Sequence, residues 1–295
     1  MPLCPMREIL EDALNGRYAV GYFEPWDQYS MEAVIEAAET MNAPVIIGCG
    51  GIMMDQDWFN GGGMEALACV GKTLARRSRV PTALLLNEVS TLQQIEQGLK
   101  YGFNAVMLDT SHLSFEENVR LTKKVVEAAH KVNVDVEAEL GHLPLGSGES
   151  EDVQPSLTDP QQAAEFVELT GVDALAVSIG NVHVLLEGKS ENLDFNRLEE
   201  IHRLVKVPLV IHGSTGFPDE AISRAIELGV AKFNVGTVLK RAYWIGLKEA
   251  LAKTPDDANP QYVIGSRKEN DILVQGRERM RYEVERLIKL FMRIK

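Results

Sequence analysis

Eight short apolar, β-branched runs alternate with longer amphipathic segments along this chain, and no other feature restricts its fold as much. The runs lie at 18–23, 44–49, 82–88, 105–109, 135–140, 174–179, 209–212 and 232–235, with helical periodicity most evident at 30–41, 115–132, 161–170 and 219–228. Strands separated by helices pair in parallel, because the crossover must return to the same end of the sheet. Eight such units predict an α/β fold, the (β/α)8 TIM barrel, which needs about 250 residues. The 295 residues therefore read as one domain, 1–295, with the barrel over about 16–252 and a C-terminal helical extension over about 255–295.

The punctuation agrees. Ser30 and Ser114 stand as N-caps before helical periodicity, and Gly102, Gly171 and Gly229 follow helices where a left-handed residue ends them. Two stretches break the rhythm. Residues 141–159 form a long Gly-, Ser- and acid-rich loop, expected as a lid or a disordered excursion. The helical pattern through 277–294 is expected to be a cap or an oligomer contact, with the charges of 277–286 on a solvated face.

A net charge of −13 argues against nucleic acid as a partner, since no basic stripe is available for a phosphate backbone. No apolar run is long enough to span a membrane and no signal peptide is visible, so a cytoplasmic location is expected. Cys4, Cys49 and Cys69 form no C-x-x-C pair and read as reduced thiols.

In such a barrel the chemistry sits at the C-terminal ends of the strands. Those ends carry Glu24, Asn87, Glu88, Asp109, Glu137, Glu139, His183, His212 and Asn234. Glu88, His183 and His212 make a candidate metal site of two histidines and one carboxylate, a donor set suited to zinc, manganese, iron or cobalt. The bland alternative is a set of hydrogen-bonded mouth residues. Gly213, Ser214 and Thr215 after the seventh strand, and Asn234, Gly236 and Thr237 after the eighth, fit an anion cradle of backbone N–H groups and a helix N-terminus, or simply tight turns. Lys232 opens the eighth strand and is expected at the opposite, stable face.

Several stretches together resemble the class II, metal-dependent ketose-bisphosphate aldolases, which include fructose- and tagatose-bisphosphate aldolases. They are Gly102–Phe103–Asn104–Ala105–Val106–Met107–Leu108–Asp109 with Ser111 and His112; Val136–Glu137–Ala138–Glu139–Leu140–Gly141; Pro208–Leu209–Val210–Ile211–His212–Gly213; and Lys232–Phe233–Asn234. The resemblance implies an aldol reaction of dihydroxyacetone phosphate through an enediolate stabilised by a divalent metal, zinc in the first instance, with manganese or cobalt as alternatives. It implies His183 and His212 as metal ligands, Glu139 as a carboxylate beside the metal, and the loop with Glu149 and Glu151 as the mobile acid–base loop. It also implies a small phosphorylated or anionic sugar-like substrate and a homodimer or homotetramer.

Four positions depart from the family pattern. The family's third strand ends His-Leu-Asp-His, and here Asn87 and Glu88 replace the aspartate and the last histidine; Glu24 and Val184 replace an asparagine and a glycine. Asn87 cannot take a proton, so Glu24 becomes a candidate base, with Asn87 left to hydrogen-bond substrate. Glu88 makes a divalent site one unit less positive and favours harder metals. The expected function is a metal-dependent aldolase-like lyase. The alternatives are an isomerase or epimerase using the same enediolate, and a non-catalytic homologue that binds a sugar phosphate or stabilises a partner enzyme.

Overall fold

The computed structural model describes residues 3–143, 156–182 and 193–294. Within them, β1 (Val20–Phe23), β2 (Val45–Gly50), β3 (Thr82–Val89), β4 (Ala105–Leu108), β5 (Asp135–Leu140), β6 (Ala174–Val177), β7 (Leu209–Ile211) and β8 (Val230–Val235) close into a parallel barrel in sequence order. The seam is β1 against β8, from Val20 opposite Lys232 to Phe23 opposite Val235. The helices are α1 (Met6–Gly16), α2 (Gln28–Met41), α3 (Gln56–Trp58), α4 (Met64–Arg77), α5 (Leu92–Tyr101), α6 (Phe115–His130), α7 (Pro160–Thr170), α8 (Phe195–Leu204), α9 (Asp219–Glu227), α10 (Thr237–Lys253), α11 (Pro260–Val263) and α12 (Ile272–Phe291). The (β/α)8 barrel expected from the alternation is present, with small shifts at strand ends.

Each strand buries both faces, so the barrel has two apolar layers. Outward residues such as Ile47, Leu84, Val106, Val136 and Phe233 pack under the helices. Inward residues such as Tyr22, Ile46, Leu85 and Val210 meet Met6, Ile9 and Leu10 of α1, which plugs the N-terminal end. The inner face of β5 is an exception. Its alternate residues Asp135, Glu137 and Glu139 are all buried acids, set at three depths of the barrel. Asp135 is met at the bottom by Arg7 of α1, at 3.1 Å.

Two expectations need correction. The cap of α2 is Asp27, not Ser30: Asp27 Oδ1 accepts from Ser30 N–H at 2.8 Å, and Ser30 Oγ accepts from Asp27 N–H at 2.9 Å. The capping box therefore starts one turn earlier, with Ser30 as its third helical residue. Helix α12 forms part of the barrel's own outer layer, since Phe291 stacks on Phe233 and Phe23 at 4.9 and 6.1 Å between centroids. Its charges are solvated only in part: Arg279 and Arg286 are exposed, but Arg277 is mostly buried and reaches Glu32 and Glu36 of α2 at 3.3 Å. Ser114 caps α6 as expected, and Gly102 and Gly171 end α5 and α7 in the left-handed conformation.

The long loop after β5 is closed at its base by paired backbone bonds between His142 and Ser156, at 3.0 and 3.2 Å. Glu149 and Glu151 lie outside the described residues, as does His183. Among the described residues, no helix is long and apolar enough to cross a membrane.

Candidate metal centre and active site

A regular strand would send Asn87 and Glu88 to opposite faces. Here the pairing of β3 with β4 shifts register between Leu86 and Val89, and Glu88 adopts a left-handed backbone with φ of 47°. Both side chains are buried, and Asn87 Nδ2 donates to Glu88 Oε2 at 2.9 Å. A non-glycine residue in this conformation costs roughly 1–2 kcal/mol. Strain of this kind collects at functional sites, where surrounding contacts hold it.

His212 stands just past β7, fully buried. Its Nδ1 lies 2.9 Å from Glu88 Oε1 and 2.9 Å from Glu139 Oε2. Its Nε2 lies 2.8 Å from Glu137 Oε1. Glu137 is held in turn by Lys232 Nζ, at 2.9 Å to Oε1 and 2.8 Å to Oε2, and Lys232 also donates to Asn234 Oδ1. An Nε2–H donated to Glu137 fixes the imidazole tautomer and turns the Nδ1 lone pair toward Glu88 and Glu139. Two buried amides fix the backbone around these groups: Asn181 Nδ2 donates to His212 O at 2.8 Å, and Asn118 Nδ2 to Glu139 O at 3.0 Å.

The electrostatics follow from this packing. Burial alone would push the Glu137 carboxyl up, but the Lys232 charge and the hydrogen bonds from His212 and Lys232 hold it below the ordinary range. Burial disfavours charge on His212, yet the carboxylates of Glu88, Glu137 and Glu139 in contact with it raise it well above an ordinary imidazole. Three carboxylates, Glu88, Glu137 and Glu139, within 2.9 Å of one imidazole make a locally negative pocket that favours a cation.

One ligand atom each from Glu88, Glu139 and His212 lies within 4.8 Å of the others. Glu139 Oε2 accepts no well-aligned hydrogen bond among the described residues, although His212 Nδ1 is close by. A buried acceptor of this kind, facing a second carboxylate and an imidazole, fits a divalent cation with mixed nitrogen and oxygen ligands. Glu88 and His212 therefore come together as the strand ends implied. Glu139, expected beside the metal, is itself part of the donor group. Lys232 corrects an expectation outright. Strand β8 begins at Val230, two residues earlier than expected, and Lys232 shares the inward face of Asn234 by regular alternation, so its ammonium is fully buried in the barrel core beside Glu137.

The remaining expected residues that the structure describes gather at the same end. Gly213 and Gly216 have positive φ, of 62° and 92°. They bend the chain around Ser214 and Thr215, and Ser214 Oγ donates to Asn234 O at 2.9 Å, tying the β7 loop to β8. Gly236 precedes α10, whose first residue is Thr237. Glu24 N–H donates to Val235 O at 2.9 Å, so β1 ends beside this turn. The Glu24 carboxylate fills the space between two glycines: a Cβ at Gly50 would stand 1.8 Å from its Oε1, and one at Gly236 2.6 Å from its Oε2.

Residues 4–294 match the sequence model described as "Fructose-bisphosphate aldolase class-II". The chain belongs to this aldolase family. A fructose-bisphosphate aldolase of Geobacillus stearothermophilus is 39% identical to this class II aldolase-family chain over 270 residues, covering 90% of this chain and 91% of that protein. Among solved structures, the YdjI aldolase of Escherichia coli K12 is 32% identical with a TM-score of 0.81, over 98% of this chain and 97% of its own. The fructose-bisphosphate aldolase of Campylobacter jejuni is 25% identical with a TM-score of 0.77, over 97% and 93%. Family and fold thus agree on an aldolase-type lyase scaffold, and the family is generally metal-dependent.

Proposed function

We propose that this chain is a metal-dependent aldolase-type lyase that breaks or forms a C–C bond in a phosphorylated or otherwise anionic sugar-like substrate. The convergence of Glu88, Glu139 and His212 carries the proposal. These residues would hold the cation, with His183 added by the family resemblance from outside the described residues. Zinc, manganese and cobalt all suit such a set, and the two carboxylates favour the harder of them. When bound, the cation supplies Lewis acidity where negative charge develops on the substrate oxygens.

The chain's own groups supply the rest. Asn87 Oδ1 is buried and accepts no hydrogen bond among the described residues, so it is placed to accept one from a substrate hydroxyl. Gly213, Ser214, Thr215, Asn234, Gly236 and Thr237 form the anion cradle at the α10 N-terminus. In the cleavage direction a hydroxyl proton leaves as the C–C bond breaks, and a proton is returned to carbon in the donor half. Glu24 is the mouth carboxylate assigned to that transfer, with Glu149 and Glu151 as the alternative carriers. The whole chain, 1–295, acts as a single domain, cytoplasmic and assembled as a homodimer or homotetramer.

Elemental analysis of the purified chain tests the core of this reading. Near-stoichiometric divalent metal is the expected result. No metal after incubation with zinc, manganese and cobalt would overturn it and favour a sugar-phosphate-binding homologue. Product analysis separates cleavage from isomerisation or epimerisation. For the proton carrier, Glu24→Gln is expected to lower kcat by about 10²-fold or more. Gly50→Ala should act in the same direction with little loss of stability, because its Cβ displaces the end of the flexible Glu24 side chain. Unchanged turnover in Glu24→Gln would remove the assignment.

A further inference from the structure

Beside the metal centre lies a cleft of about 420 Å3, between the end of β1, the β2–α3 loop and one face of α10. Glu24 and Gly50 form its floor, and Trp26, Met53, Tyr243 and Trp244 line its walls. Its β2 side adjoins the end of β3: Gly50 pairs with Asn87, Gly51 N–H donates to Asn87 O at 2.8 Å and Ile52 N–H to Glu88 O at 3.0 Å. The loop that carries Met53 is thus bonded directly to a residue of the donor group.

We infer that this cleft takes the aldehyde half of the substrate, and that this half is an uncharged, apolar-faced group without a phosphate. The inference rests on the aldolase reading above. Three observations carry it. First, among the described residues the charges lining the cleft are one carboxylate, Glu24, and one ammonium, Lys240, with no arginine. A phosphate there would meet no net positive charge and no bidentate fork. Second, that ammonium already lies over the Trp26 ring, 5.8 Å from its centroid. Third, Trp244 and Met53 are 55% and 49% exposed at the rim of a reaction mouth. Apolar walls with few polar groups are what a ligand's own apolar surface covers. The β7–β8 cradle, by contrast, offers backbone N–H groups and a helix N-terminus. The substrate accordingly carries its anion at one end only.

The test uses the metal-loaded full chain with dihydroxyacetone phosphate as donor. Exchange of the donor's carbon-bound proton into deuterated water reports the aldolase reading by itself. Condensation is then compared for glyceraldehyde 3-phosphate and benzyloxyacetaldehyde. In each case the donor loses a carbon-bound proton, the C–C bond forms at that carbon, and the aldehyde oxygen gains a proton. The expected result is a kcat/KM for benzyloxyacetaldehyde at least about tenfold higher, with Trp244→Ala reducing the ratio toward unity through KM. Preference for the phosphorylated aldehyde, or a ratio unmoved by Trp244→Ala, would overturn the inference while exchange persists. If exchange is absent, the aldolase reading falls and the cleft is judged by binding. Saturable quenching of tryptophan fluorescence by 2-benzyloxyethanol, lost in Met53→Glu, supports it, and no saturable quenching overturns it.

Discussion

Glu88→Ala is expected to reduce bound metal from near one per chain to a small fraction, and to lower aldol turnover at least about 100-fold. Glu88 contributes one of the three candidate ligand atoms that lie within 4.8 Å of each other. It reaches that position only because β3 bulges and the residue accepts φ of 47°. Alanine at this φ keeps the backbone strain and loses the carboxylate, and Asn87 Nδ2 loses its acceptor. Loss of metal is distinguished from loss of fold by melting with and without added metal. A cation that binds only the native state raises Tm, by mass action, in the parent chain. In Glu88→Ala that increment should vanish while the metal-free Tm moves little. Glu88→His is the rescue. Histidine is among the residues enriched in left-handed backbone, and it restores a nitrogen donor at the position where the family pattern has histidine. It should recover most of the bound metal. Full metal content in Glu88→Ala would show that Glu139 and His212 hold the cation without it, and would remove Glu88 from the donor set.

The barrel was legible because its period is redundant. Every strand–helix unit repeats the same signal, so a misplaced end such as Ser30 for Asp27 changes a cap and leaves the topology intact. Glu88 and His212 were legible for a related reason, since this fold sends strand ends to one mouth. The ion network beneath the mouth was not. Lys232 was assigned to the wrong end because the strand was read as starting at 232, whereas β8 starts at Val230 and places Lys232 two residues further in. Asn118 and Asn181 act on the carbonyls of Glu139 and His212 from other elements, across distances that local periodicity does not encode. One signal was available. The acids Asp135, Glu137 and Glu139 alternate with Val136, Ala138 and Leu140 in a strand whose outward face must be apolar. Acids at every second position of a barrel strand therefore had to point inward, where each needs a cationic or hydrogen-bonding partner.

Lys232→Met is expected to destabilise the fold by about 3–5 kcal/mol, the usual effect of removing one partner of a buried ion pair. Lys232 and Glu137 are both fully buried, with Nζ 2.8 and 2.9 Å from the carboxylate oxygens. Methionine keeps most of the volume, so a cavity is not the source of the loss. What remains is a carboxylate inside the barrel whose described side-chain donor is His212 Nε2. Equilibrium unfolding in urea, with the slope unchanged, measures the loss. The double substitution Lys232→Met, Glu137→Leu separates the two roles of the pair. Replacing both charges by apolar groups should return most of the stability, because desolvation of the pair had offset much of its attraction. It should not return metal binding. His212 Nε2 then has no carboxylate to receive its proton, the tautomer that presents Nδ1 is no longer held, and affinity should fall about 10–100-fold. A double variant that regains both stability and metal would reduce Glu137 and Lys232 to core packing. Recovery of stability alone would show that the ion pair orients His212, and that the barrel carries two buried charges at its centre for the sake of the site above them.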